Sequence, residues 1–344
     1  MALPIQKLPM LVIHLILQTV GFLDMFLLTR TSTKMKRIVQ NMNRTPKHYL
    51  NVTIGNQIMI QIQSKTNEEY SELMIVTDKE NEPERRYTFN MEIGSVDHLP
   101  SELLGRALVL VLADGQVVVE TYWNDIKAGI IELCNELVQV FNTPVRAVTL
   151  KLDEIENYQN AINWINSTFQ GLILFKIEGN CNFQEYMWIM KNAKATKELR
   201  FEMKPNDYPK DMDNLEVIPF ELEGIEILHG RWISFQQLEA IKSDYIKIAN
   251  IDWTDSKINT FLKNLKSSKE KPKFKELDII IHRQSTRVVF EGLQEGDAPD
   301  TDSFLNKLVF KTGNGQKCTV TYTRFVRNVH EDNNLFGFEV LIKD

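Results

Sequence analysis

Apolar positions crowd the first forty residues in three bursts. In "MLVIHLILQTV" (10–20) only His14, Gln18 and Thr19 interrupt the run. Pro9 stands where a helix begins and its missing N–H is harmless, so a helix is predicted to about Val20. Gly21 is expected to end it in a left-handed conformation. A second helix is predicted over Leu23 to Thr29, with Asp24 at its positive end. Ser32 is placed to cap a third, in which Met35, Ile38 and Val39 recur at helical spacing while Lys34, Lys36 and Arg37 face water. Helices this short are marginal alone. Their apolar residues fall on more than one face, so something else must cover them.

From Tyr49 to Trp123 the period changes to two. "YLNVTIG", "IMIQIQ", "ELMIVT", "RRYTFNM" and "ALVLVLADGQVVVETYW" read as short strands, the last folded into a hairpin at Asp114-Gly115. An antiparallel meander is the expectation. In "NDIKAGIIELCNELVQVFN" (124–142) Ile126, Ile130, Leu133, Leu137 and Phe141 mark the clearest helix of the chain. Strand and helix then alternate. Strands are predicted at 145–152, 172–179 and 197–203, with helices at "EIENYQNAINWINSTF" and "FQEYMWIMKN", the strand starts lying about 25 residues apart. After the Pro- and Asp-rich stretch 207–219 the rhythm resumes with "IEILHG", "SFQQLEAIK", "YIKIANI", "TDSKINTFLKNLK" and "FKELDIIIH". Consecutive parallel strands need right-handed crossovers. The expected fold is therefore α/β (α+β overall): N-terminal helices, a strand meander, then a curved parallel sheet built from leucine-rich-repeat-like units whose usual Leu and Asn consensus is missing. Residues 303–342, with "TGNGQK" as a hairpin turn, are expected to close the last repeat as an antiparallel cap. The domains predicted are 1–44, 45–144 and 145–344.

Composition removes several function classes. A spanning helix needs about 20 apolar residues with few interruptions, and Asp24 at a bilayer centre would cost roughly 3 kcal/mol. A signal peptide fits no better, since only Lys7 precedes the run and no small-x-small site follows. The net charge of −6 over 344 residues gives no general pull towards nucleic acid or an anionic membrane. Cys134, Cys181 and Cys318 are scattered without paired spacing, which suggests neither disulfides nor zinc. A cytoplasmic or nuclear protein is expected, and the sequons at Asn43, Asn51 and Asn166 are then fortuitous.

Candidate chemistry is thin. The six histidines never pair at i, i+4, no G-x-S-x-G or phosphate-binding loop appears, and no carboxylate pair is singled out. No catalytic residue, metal or cofactor is expected. The run "KNLKSSKEKPKFK" (263–275) reads as a solvated loop or, alternatively, as a reader of anionic groups. Trp164, Trp188, Trp232 and Trp253 read as core, and any one of them exposed on the sheet face would serve as a substrate anchor.

Two stretches carry a family resemblance. Leu8-Pro9, followed by Ile13, Ile16, Leu17 and Val20, then "GFLDMFLL" (21–28) and "STKMKRIV" (32–39), resembles an F-box, departing from it at Leu11 and Phe22. Residues 245–281 are similar to the F-box-associated domain (type 2) of nematode F-box proteins. The matching positions are Ile258-Asn259, Phe261-Leu262-Lys263, Leu265 (usually Trp), Phe274, Leu277 and Ile279. The resemblance implies a non-catalytic, substrate-recruiting subunit of an SCF-type cullin–RING ubiquitin ligase. Leu8, Pro9, Ile13, Ile16, Leu17, Met25 and Leu28 would contact the Skp-type adaptor, and through it cullin, while the rest of the chain holds a protein substrate. Two other readings stay open: a repeat scaffold for protein–protein interaction without any ligase connection, and a hydrolase concealed in the α/β region.

Overall fold

Pro9 leads into the first helix, α1 (Met10–Thr19), its carbonyl accepting the N–H groups of Val12 and Ile13 at 2.9 and 3.1 Å. These and the following elements belong to a computed structural model that describes residues 8–42, 47–66, 71–78, 107–111, 117–212, 215–282, 286–293, 305–325 and 335–343. The chain forms two compact units, Met1–Ile155 with Thr168–Gln170, and Glu156–Ser167 with Gly171–Asp344.

In the first unit Gly21 is not left-handed as expected. Its φ is −59°, and it opens α2 (Phe22–Thr31) instead of closing α1, because Val20 has already turned extended. The N–H groups of Phe22 and Leu23, which no helical carbonyl can reach, donate to the two carboxylate oxygens of Glu72 at 2.9 and 2.5 Å. Glu72 is buried. A helix start concentrates partial positive charge and unpaired donors, so it is one of the few buried places where a carboxylate is stable. Ser32 caps α3 (Thr33–Met42) by accepting the Met35 N–H at 3.2 Å, and Met35, Ile38 and Val39 are buried, as their spacing implies.

The strands β1 (His48–Ile54), β2 (Ile58–Ser64) and β3 (Ser71–Asp78) pair antiparallel in sequence, with the alternating burial of a half-covered sheet. Beyond them the meander fails. β4 (Ala107–Val111) pairs antiparallel with β5 (Val117–Trp123), but β5 runs parallel to β3, and β6 (Val145–Lys151) runs parallel to β1. The local order is β6-β1-β2-β3-β5-β4. Alternation reports which face is buried and not the direction of the neighbouring strand. The expected strand at 85–91 and the Asp114-Gly115 turn lie outside the described residues.

Between β5 and β6 runs α4 (Ile126–Phe141), capped by Asp125, which accepts the Lys127 and Ala128 N–H groups, and closed by Asn142 at φ 52°. It packs on β3, β5 and α3. Phe141 at its end meets the rings of Phe22 and Phe26 at 4.3 and 6.4 Å, and Lys36 pairs with Glu136 at 3.2 Å. Gly129 in mid-helix would ordinarily cost about 1 kcal/mol relative to alanine. Here it lets the Trp123 indole lie against the helix: a Cβ at 129 would come within 2.5 Å of that ring.

The second unit alternates as the sequence implies. Its elements are α5 (Tyr158–Thr168), β7 (Leu174–Cys181), α6 (Phe183–Asn192), β8 (Glu198–Pro205), β9 (Phe220–Ile227), α7 (Phe235–Ala240), β10 (Ile241–Ala249), α8 (Asp255–Ser267), β11 (Glu276–His282), α9 (Thr286–Val289), β12 (Leu305–Lys311), β13 (Lys317–Phe325) and β14 (Leu335–Lys343). β7 to β11 are parallel neighbours in chain order. β14 then pairs antiparallel with β11, followed by β13 and β12, which is the closing antiparallel element. One face of these strands is core: Phe175, Phe201, Ile225, Ile246, Leu277 and Val340 are all buried.

Two substitutions test this account of the first unit by urea unfolding. Glu72→Ala leaves two buried donors without an acceptor and is expected to cost about 1–3 kcal/mol. Gly129→Ala improves helix propensity yet is expected to destabilise by about 1–3 kcal/mol, because the Trp123 ring must move.

Candidate functional site

On α1 the apolar residues divide into two sets. Ile13 and Leu17, both expected at the adaptor interface, are 1% and 0% exposed and belong to the chain's own core. Leu8, Ile16, Met25 and Leu28 are half-buried, and Pro9 is exposed. The solvent side instead presents Met10 (51%), Leu11 (71%), Val12 (38%) and Leu15 (55%). Eight large apolar side chains stand exposed among the described residues, and half of them are on this one helix. Surface apolar residues scattered singly need no account, but a contiguous set does. Met10, Leu11, Val12 and Leu15 therefore replace Ile13 and Leu17 as the outward face. Among the described residues no helix is long and apolar enough to cross a membrane.

The second unit carries its polar chemistry on the face of the sheet opposite the core. Strand pairing sets Lys176, Arg200, Glu226, Lys247, Asp278 and Glu339 side by side, one per strand. From β7 to β10 the signs are matched: Lys176 pairs with Glu178 at 3.1 Å and Glu202 at 2.9 Å, Arg200 with Glu198 at 2.6 Å, and Lys247 with Glu226. At β11 and β14 they are not. Glu276, Asp278 and Glu339 bring carboxylate oxygens within 4.8 Å of one another. Burial first, then the charges of Glu276 and Glu339, raise the Asp278 carboxyl to about 6, against the pull of Lys247 and a hydrogen bond from Tyr245. Two strands supply this group, β11 giving Glu276 and Asp278 and β14 giving Glu339, so chain spacing gave no sign that the third carboxylate joins the first two. The thiols of Cys134 and Cys318 are pushed up to about 12 by burial and stay protonated at neutral pH. None of the four tryptophans considered above stands on a strand. Trp232 and Trp253 are buried, and Trp164 and Trp188 are half-buried on α5 and α6.

A cavity of about 310 Å³ opens between α7, α8 and the loop 268–274. Phe235, Leu238, Ile241, Phe261, Leu265 and Phe274 wall it, and Glu239, Glu270, Lys271 and Lys273 stand at its rim. Thr254 caps α8, accepting the Lys257 N–H at 3.3 Å. The helix turns Ile258, Leu262 and Leu265 into the core and leaves Phe261 half-buried, stacked 6.4 Å from Phe235 and tilted against Trp253 at 5.8 Å. Asn259 donates through Nδ2 to the carbonyls of Val289 and Glu291, both at 2.9 Å, tying α8 to the end of α9 and the turn that follows it. The loop itself is held from outside. A Cβ at Gly313 would come within 2.6 Å of the Ser267 and Ser268 carbonyl oxygens, and Asn314 donates to the Glu270 carbonyl at 3.2 Å.

Residues 213–279 match the family model described as F-box associated. The match takes in β9, α7, β10 and α8 and ends inside β11, so it contains the cavity and the positions on which the F-box-associated resemblance rests, and it does not extend to the F-box-like segment. No curated protein and no solved structure matches the chain.

The acidic group makes a directional prediction. The folded state binds the Asp278 proton more tightly than the unfolded chain does, so this contribution to stability is complete below about pH 4 and is lost as pH rises through 6. Asp278→Asn is therefore expected to raise the melting temperature at a pH well above 6 and to change it little near pH 4, as read by thermal unfolding at both.

Proposed function

We propose that this chain is the substrate-recruiting subunit of an SCF-type cullin–RING ubiquitin ligase, with no chemistry of its own. The observation that carries the reading is the exposed apolar face of α1, which lies in the segment resembling an F-box, in a chain that also matches an F-box associated model. Pro9, Leu11, Val12 and Leu15 dock the Skp-type adaptor, with Leu8 and Ile16 at the margin. Ile13 and Leu17 act behind them by fixing the helix on its own unit. The second unit holds a protein substrate, and the ligase gains rate from the local concentration so created. The setting is cytoplasmic or nuclear.

A second reading, a scaffold without a ligase partner, draws support from the way α2 shares a core with α4 through Phe22, Phe26 and Phe141 while α3 packs on both. Capture by a purified Skp-type adaptor separates the two. The wild-type chain is expected to be retained. Leu11→Asp/Leu15→Asp alters only exposed positions and is expected to lose capture by more than about tenfold, since central apolar anchors are worth about 2 kcal/mol or more each, with an unchanged melting temperature. Equal capture of both proteins, or of neither, contradicts the docking assignment.

A further inference from the structure

We infer that the cavity between α7 and α8 takes an apolar side chain of a short peptide segment whose flanking residues are acidic. This deepens the recruitment reading by naming a substrate class, and it rests on that reading for its biological setting. The inference stands on two independent features of the second unit. The first is the cavity, whose 310 Å³ lies at the lower end of the range of about 300–1,000 Å³ typical of ligand sites. Its walls are aromatic and aliphatic, and Phe261 and Phe235 are only half-buried, so apolar surface is left open to an anchor. Their position is fixed: Trp253 packs on both rings and its indole N–H donates to the Ile233 carbonyl at 2.8 Å. A rigid aromatic floor loses little freedom when a side chain enters.

The second feature is charge. Between 263 and 275 there are six lysines and one acid, Glu270, in a chain whose net charge is −6. Lys275 is matched by Asp244 at 2.7 Å. Lys266 and Lys273 donate to the carbonyls of Leu293 and Glu239, both at 2.9 Å, and a neutral acceptor orients a cation without cancelling it. The loop 268–274 beside the cavity brings Lys269, Lys271 and Lys273 against Glu270, so that with Glu239 on α7 three lysines face two carboxylates there. The positive field lies beside the cavity mouth and favours carboxylates on either side of an anchored apolar residue. Nucleic acid fits less well, because a chain of net charge −6 gives a polyanion no general attraction.

The test uses the purified full chain without any adaptor, so its outcome is independent of adaptor capture. A displayed library of random peptides is selected on the chain, and the enriched peptides are measured by fluorescence anisotropy. Peptides with Phe, Leu or another large apolar residue flanked by Asp or Glu are expected. Their affinity is expected to fall with added salt and to drop about tenfold or more in Lys269→Glu/Lys271→Glu. That variant changes two exposed positions and should fold. Phe261→Ala is expected to abolish binding. Enrichment of neutral or basic peptides, no enrichment, affinity unchanged by Lys269→Glu/Lys271→Glu, or binding of a polyuridylate RNA probe through these lysines in place of peptide would each overturn the inference.

Discussion

The start of α2 is fixed by one buried charge. Glu72 reaches from β3 to the N–H groups of Phe22 and Leu23, and the same turn places Phe22 on Phe141. A carboxylate at that depth needs donors or a cation to meet it, and a helix start at that depth needs its donors met. Here each supplies what the other needs. Together they make α2 part of the first unit's core, and α3 follows through its packing on α2 and α4. With α2 and α3 committed inward, α1 is the helix of the three left with apolar residues facing solvent. The exposed apolar face of α1 is thus a consequence of where Glu72 lies.

The second unit depends on a different economy of charge. Its parallel strands bury one face completely, so the opposite face must carry every charge those strands hold. Matched ion pairs accomplish this from β7 to β10. Partly exposed pairs of this kind contribute little each, but they set opposite signs beside one another across the four strands. The mismatch at β11 and β14 arises where the parallel run meets the antiparallel closing strands and Asp278 and Glu339 fall directly opposite each other, an arrangement that weakens strand pairing.

Much of this organisation was legible in the chain. The helix 124–142 could be drawn to within two residues, because Asp125 and Asn142 are cap residues and the apolar spacing between them is regular. The alternation after 145 and the antiparallel tail were readable for the same reason. The orientation of α1 was not. In "MLVIHLIL" every face of the helix is apolar apart from His14, so no periodicity separates Ile13 and Leu17 from Leu11 and Leu15. Only the tertiary packing does that. The direction of β5 beside β3, and the meeting of Glu276, Asp278 and Glu339, depend on strand order and were equally hidden. The lysine run was plain in the sequence, whereas the cavity beside it needed the Gly313 contact to hold the loop in place. Asn259 stood out in the family motif, but its role, bridging to carbonyls thirty positions away, is visible only in the fold.

Hydrogen–deuterium exchange of the full chain, with and without a purified Skp-type adaptor, addresses the central claim most directly. The account predicts slower exchange across α1 on adding the adaptor, with α2 and α3 unchanged because they already belong to the core. Unchanged exchange in α1, or faster exchange in α2 and α3 as if released from Glu72 and Phe141, would contradict it.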